Sequence, residues 1–385
     1  MAGGMLAAAL APQSLRVLLL DAAPAAQMPS QAPAQRVSAL TETSERLLRQ
    51  VGAWQLLPTE RLQPYQRMEV RDGDGTGEVC FSAADAAASH LGTLLENDSV
   101  VAALYQRCSS ETHINWRNNC RVTAISANDQ GWRIELADGE VLQARLLVGA
   151  DGARSMVRSA AGLTATAKDT GHVAIVATLK TALPHQGCAR QVFLDSGPLA
   201  LLPLYGDGHH SSLVWSVWPQ RAAELMQQSQ QDFAISLTQA SQSWLGDIQL
   251  ISERLTFPIQ DLHAGDYVAS QLALIGDAAH VVHPLAGQGI NMGLLDAAVL
   301  AEEISRALAG QRDWSSLPVL QRYQRRRRGH NASMVAAMRG FKVLFEQRSP
   351  LLRFIRNAGM SLVDRHHIFK GLLAAQALGR FDDAP

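Results

Sequence analysis

The 385-residue sequence contains no run of eighteen or more apolar residues, which excludes an ordinary membrane-spanning helix. Cysteine is sparse: Cys80, Cys108, Cys120 and Cys188 lie far apart and form no C-x-x-C pair, so they read as free, mostly buried thiols of a reducing compartment. Charge of one sign is missing too. Lys and Arg number 34 against 35 Asp and Glu, a net charge of −1, which gives no basic surplus for a nucleic-acid partner. No internal repeat or low-complexity linker breaks the chain. The apolar opening, residues 1–20, lacks the basic start of a signal peptide and runs through Ser14-Leu15-Arg16 into a strand-like segment. It reads as a helix followed by a strand in a cytoplasmic protein.

What is present is the composition of an ordinary globular protein, 47% hydrophobic and 18% charged. The length suggests two or three domains, or one nucleotide-binding domain with large insertions. A helix is expected over Gly4 to Ala11, ended near Pro12. Val17 to Leu20, Leu146 to Val148 and Leu272 to Ile275 are short continuous apolar runs, the pattern of buried parallel strands. Helices are expected over Ser44 to Val51, Val100 to Arg107 and Gly293 to Leu308. Arg121 to Ala127 and Trp132 to Leu136 read as a hairpin. Weak alternation from Met68 to Phe81 and strand-like segments from His172 to Phe257 point to a separate antiparallel sheet, and the tail from Val319 onward is helical.

Three segments carry chemistry. Gly3 precedes an Ala-rich helix, and Asp21 follows a strand 18 residues later. These are the places of the third glycine and of the ribose-binding carboxylate in a dinucleotide fingerprint, although Asp21 reads equally well as a strand-end turn residue. The first strand and the first two glycines of that fingerprint do not precede Gly3. A central strand's absence exposes both neighbours, so the natural protein is expected to carry about ten further residues upstream. Gly149-Ala150-Asp151-Gly152 leaves a buried strand and is a weaker signal, because many strand-to-helix turns look alike. Gly276-Asp277-Ala278-Ala279-His280 is stronger. It leaves a strand and leads to Gly287, Gly289 and Gly293, which open a helix whose first N–H groups favour negative charge.

With these segments, the chain resembles the class A flavoprotein monooxygenases of the para-hydroxybenzoate hydroxylase fold, and most of all their ubiquinone-biosynthesis branch, near the 2-polyprenylphenol hydroxylases. Arg36-Val37-Ser38-Ala39-Leu40, Gly52-Ala53-Trp54, Glu96-Asn97, Phe257-Pro258 and the stretch from Gly276 to Asp296 also match, and coverage is nearly the whole chain. The resemblance implies an α/β fold: an FAD-binding Rossmann-like parallel sheet, its first strand apparently missing, with an inserted antiparallel-sheet substrate domain and C-terminal helices. Residues 1–66, 92–165 and 262–320 would form the FAD-binding domain, 67–91 and 166–261 the substrate sheet, and 321–385 the helical end.

Carried over by position, Gly3 and Asp21 would bind the ADP half of FAD, with Arg36 near its phosphates or ring. Gly276 and Asp277 would hold the ribityl or pyrophosphate portion. Gly287, Gln288, Gly289 and Asn291 would lie along the flavin, and Asp151 would sit in the turn shared with NAD(P)H binding. His283 and Pro284 fall beside the flavin edge, where His283 either orients a phenol or is a hydrogen-bonded helix-entry residue. The implied reaction is hydroxylation of a polyprenylated phenol with NAD(P)H and O2, in company with other ubiquinone-biosynthesis proteins and with peripheral contact at the inner membrane. No metal is expected: His209-His210 and His366-His367 are adjacent pairs whose side chains diverge in extended structure. Arg325 to Arg328 read as a solvated, partly salt-bridged helix face, or as a basic surface for anionic lipid. Two other readings stay open, a hydroxylase of a small soluble aromatic and a flavin-poor scaffold subunit.

Overall fold

The structure is a computed structural model that describes residues 1–29, 35–73, 75, 77–282 and 288–346, with positions 366, 370, 371, 378 and 379. It opens with α1 (Ala2–Ala9), β1 (Val17–Leu20), β2 (Val37–Leu40) and α2 (Glu42–Gln50). The next elements are β3 (Gln63–Tyr65), β4 (Arg67–Asp72), β5 (Glu78–Ser82), β6 (Gly92–Glu96), α3 (Asn97–Ser109) and β7 (Ile114–Arg117). A meander β8 (Val122–Asn128), β9 (Gly131–Leu136) and β10 (Val141–Ala144) leads to β11 (Leu147–Gly149) and α4 (Met156–Ala160). The long β12 (Ala165–Thr181) is followed by β13 (Cys188–Leu194), β14 (Gly197–Pro203), β15 (His210–Val217), α5 (Pro219–Gln227) and α6 (Gln230–Ala240). Last come β16 (Ile248–Leu250), β17 (Leu255–Ala264), β18 (Val268–Ala269), β19 (Leu272–Leu274), β20 (His280–Val281), α7 (Gln288–Ala309) and α8 (Leu317–Glu346).

Two parallel pairs of short strands lie around α1. β1 lies parallel to β7, and β11 parallel to β19. Among the described residues β1 and β11 each keep one unpaired edge, and their apolar side chains are correspondingly open: Leu18 is 40% exposed, and Leu147 and Val148 are half-buried. Helix α1 spans the two pairs. A Cβ on Gly3 would lie 3.3 Å from Ala150 Cβ and 3.7 Å from Leu19 Cδ1. Gly4 faces α3 and the Trp116 ring, where a Cβ would come within 2.7 Å.

The large nine-stranded sheet has the order β20-β17-β12-β15-β14-β13-β4-β5, with β16 beside β12. It differs from the sequence expectation in two ways. β4 runs parallel to β13, because the β4–β5 hairpin arrives from an earlier part of the chain. The stretch from His172 to Phe257 is also not all strand, since α5 and α6 lie inside it. Pro219 occupies the first turn of α5, and the Ser229 hydroxyl caps α6 by accepting the Asp232 N–H at 3.0 Å. These helices cover one face of the sheet, where Ile175, Leu179, Leu213 and Trp215 meet Leu225 and Phe233. Period-2 alternation on β12 and β15 buries that face and turns the other toward β2 and β6.

The cysteines are all free thiols; Cys108 and Cys188 are buried, Cys80 and Cys120 partly so. Among the described residues no helix is long and apolar enough to cross a membrane.

Candidate functional site

At the end of β19 the chain turns at Gly276, whose φ of +58° is a left-handed value that a side chain would strain. A Cβ there would stand 3.2 Å from Ala2 Cβ, and one on Gly293 would stand 3.3 Å from Gly276 Cα. The start of α1, the turn after β19 and the start of α7 therefore meet backbone to backbone, which only Ala2, Gly276 and Gly293 permit. Asp277 leads out of this junction with its side chain open to the surface. The protein around it removes enough water to raise its carboxyl pKa, against the opposing pull of His280 and the Met1 ammonium. Burial lowers the pKa of that ammonium, while Asp21 and Asp277 both act to raise it. Asp21, the N-terminus of α1 and Asp277 thus converge.

Behind the turn lies a buried polar cluster. Asp296 of α7 is 0% exposed, and its Oδ2 accepts the Gly276 N–H at 3.0 Å and sits 2.5 Å from His280 Nε2. Its Oδ1 accepts from Arg327 Nε at 2.8 Å and Asn331 Nδ2 at 3.0 Å, both on α8. Burial acts to raise the Asp296 carboxyl, but His280 and Arg327 outweigh it and hold the group well below the usual carboxylate range. This corrects the reading of residues 325–328 as a solvated face: Arg325 and Arg328 are exposed and Arg326 pairs with Glu302 and Glu303, but Arg327 is 0% exposed. Helical periodicity turns one of four consecutive residues inward, and Asp296 is there to receive it.

The other expected site residues divide by what their side chains already do. Asp21 Oδ1 accepts the Ala23 N–H at 2.9 Å and leaves its other oxygen for a ligand. Exposed Arg36 stacks over Phe257 at 4.5 Å, tying β2 to β17. Asp151 is committed locally, accepting from the Ser155 hydroxyl at 2.5 Å and the Val157 N–H at 3.2 Å to cap α4. Asn291 donates to the Ala39 carbonyl at 2.9 Å and accepts the Thr41 N–H at 3.0 Å, so its amide clamps β2 to α7. Gly289 has space around it: an added Cβ would meet only Val282, at 3.9 Å. Gln288 begins α7, but His283, Pro284 and Gly287 lie outside the described residues.

Between β2 and β6 on one side and the uncovered face of the nine-stranded sheet on the other lies a cavity, lined by Ala39, Leu94, Tyr65, Met68, Leu202 and Val214 among others. Burial, with a contribution from Glu45, pushes the Tyr65 phenol up to about 12, which keeps it a hydrogen-bond donor. Sequence reasoning did not identify this cavity, because strand register decides which residues face it.

The arrangement fits an elongated dinucleotide. A carboxylate follows the β1 strand end, a helix N-terminus stands beside it, and a second carboxylate stands where a side chain at Gly276 or Gly293 would fill the cradle. Among the described residues no group of three His, Cys, Asp or Glu side chains is placed to hold a metal.

A family model described as FAD binding domain matches residues 1–338. The chain is 34% identical over 380 residues to 3-demethoxyubiquinol 3-hydroxylase of Escherichia coli (strain K12), covering 98% of this chain and 96% of that protein. It is also 34% identical over 394 residues to the mitochondrial ubiquinone biosynthesis monooxygenase COQ6 of Xenopus tropicalis, covering 90% and 84%. Among solved structures, p-nitrophenol 4-monooxygenase PnpA from Pseudomonas putida DLL-E4 gives a TM-score of 0.79 at 20% identity, covering 98% of this chain and 95% of that one. Pseudomonas aeruginosa PqsL in complex with 2-aminobenzoylacetate gives 0.77 at 24% identity, covering 94% and 96%. At these identities the structural likeness is one of fold.

Proposed function

From the premise that the chain belongs to the FAD binding domain family, we propose that it is an FAD-dependent monooxygenase that hydroxylates the ring of a polyprenylated phenol in ubiquinone biosynthesis, using NAD(P)H and O2. The observation that carries this reading is the convergence of Asp21, the α1 N-terminus and Asp277 in the half of the molecule that borders a largely apolar cavity.

When bound, FAD supplies the redox chemistry that takes electrons from NAD(P)H and activates O2. The chain's own residues bind, orient and exclude water. Asp21 accepts from ribose hydroxyls, the α1 N-terminus at Gly3 favours phosphate charge, and Arg36 adds a cation nearby. Asp277 accepts from the sugar-alcohol chain. The first N–H groups of α7, at Gln288 and Gly289, would hold the ring end of the cofactor and favour negative charge there. Asn291 sets this helix against β2 rather than reaching a ligand with its amide, and Asp151 keeps the neighbouring turn in shape by capping α4. The apolar lining keeps water from the reacting ring.

A polyprenyl chain partitions into the bilayer, so the reading includes peripheral contact with the inner membrane from the cytoplasm and association with other ubiquinone-biosynthesis proteins. Exposed Arg325 and Arg328 favour the membrane contact.

The test begins with the flavin content of the purified chain. Mass spectrometry then follows 2-prenylphenol incubated with NAD(P)H under air. One flavin per chain and a product carrying one added oxygen are expected. A folded, colourless protein that rejects added FAD would overturn the assignment.

A further inference from the structure

The uncovered face of the nine-stranded sheet alternates apolar side chains with small hydroxyls. Register assigns them: Gln191 stands opposite Ala200, Leu202 opposite Ser212, and Ala200 opposite Val214, and paired residues share a face. Gln191 is the amide on this surface. Its residue is 6% exposed and it lines the cavity, yet among the described residues its side-chain amide has no hydrogen-bond partner. Its polar atoms are not sealed in the protein but open onto the cavity, where they are free to pair with a ligand. Arg190, one residue earlier, does not supply a charge to the same ligand. It pairs in register with Leu201 on the helix-covered face, its Nε stands 3.3 Å from Glu69, and its guanidinium donates to the His185 carbonyl at 3.2 Å. Arg190 thus borders the cavity but commits its guanidinium to Glu69 and His185, and the remaining polar lining residue, Tyr65, is neutral.

We infer that Gln191 is the specificity-determining contact of this cavity. Its amide pairs with the oxygen substituent of an uncharged phenol ring, and a ring carboxylate finds no counter-charge there. The inference rests on the proposed function and narrows its substrate class. A neutral amide both donates and accepts, which suits a phenolic hydroxyl or a ring carbonyl. A carboxylate brought to the same place would lose its hydration with no cation to compensate it.

The test uses the flavin-loaded enzyme and three probes: 2-prenylphenol, prenylbenzene and 3-prenyl-4-hydroxybenzoate. Affinities are read from the change in flavin fluorescence on titration. Wild type is expected to bind the phenol on the order of tenfold more tightly than prenylbenzene, and more tightly than the carboxylated probe. Gln191→Met, nearly isosteric, should bring phenol and prenylbenzene to parity and melt at the wild-type temperature, because the amide holds no hydrogen bond within the protein. Gln191→Leu should behave alike. A purely structural Gln191 would instead lower the melting temperature of both variants and leave the preference intact, which overturns the inference. So would equal binding of the carboxylated probe by wild type. If wild type binds none of the probes, the proposed substrate class falls and the inference with it. If wild type binds and hydroxylates the phenol while Gln191→Met discriminates as before, the inference alone falls.

Discussion

Arg327 of α8 and Asp296 of α7 meet where neither is exposed at all, 31 residues apart in sequence, with Nε 2.8 Å from Oδ1. The pair is not isolated. Through its second oxygen Asp296 also holds the Gly276 N–H and His280, so the last described helix is tied by charge to the turn that presents Asp277. The position of α8 is therefore coupled to the shape of the cofactor end.

Arg327→Met would leave a buried carboxylate with its remaining partners but no strong cation. A loss of about 3–5 kcal/mol is expected, since breaking one side of a buried pair strands the other. Equilibrium urea denaturation measures it. Replacing both residues, Asp296→Leu with Arg327→Met, should recover part of that loss. A cost for Arg327→Met below about 1 kcal/mol would show that the pair does not stabilise the fold.

Stability should also depend on pH through His90 and Glu45, which lie 2.8 Å apart. The hydrogen bond to Glu45 raises the His90 pKa above its ordinary 6.5. A group raised on folding contributes its full stability below the unfolded value and loses it as pH climbs through the folded one. Melting temperature should therefore fall in wild type as pH rises above about 6.5, relative to a His90→Gln variant followed over the same range. Parallel curves for the two proteins would remove His90 as the cause.

The sequence made the strand-to-turn segments legible because their signals are local. Val17 to Leu20 and Leu272 to Ile275 are continuous apolar runs of strand length, and Gly276-Asp277 follows as a turn must. Residues whose roles depend on distant partners were not legible. Nothing in Arg325 to Arg328 marks the third as the buried one, because the helix phase is set by Asp296 on another element. Gln191 is likewise one polar residue in an ordinary strand until the pairing with β14 fixes its face. The helices α5 and α6 are not legible in the sequence because the strongly β-forming segments around them dominate the same stretch.

Gly276→Ala joins two penalties, a side chain at φ +58° and a Cβ 3.2 Å from Ala2. Together they should cost about 1–3 kcal/mol, and any relief by movement of α1 would open the junction beside Asp277. Thermal melting and flavin retention on gel filtration should both decline. A variant that melts like wild type and keeps its flavin would show that the three-backbone contact is looser than the distances imply.

Asp277 offers the sharpest separation of binding from folding. Its carboxyl pKa is raised because the surrounding protein desolvates the charge, so the ionised group is a burden on the protein without cofactor. Asp277→Asn keeps the shape and removes the charge, and the apo-protein should melt at the same temperature or higher. Yet a carboxylate accepts hydrogen bonds from hydroxyl groups more strongly than an amide does, by about 1–2 kcal/mol. FAD titrated into apo-protein should therefore bind roughly ten- to thirtyfold more weakly to the variant. Equal affinity, or a lower melting temperature with unchanged affinity, would mean that Asp277 supports the turn rather than the ligand.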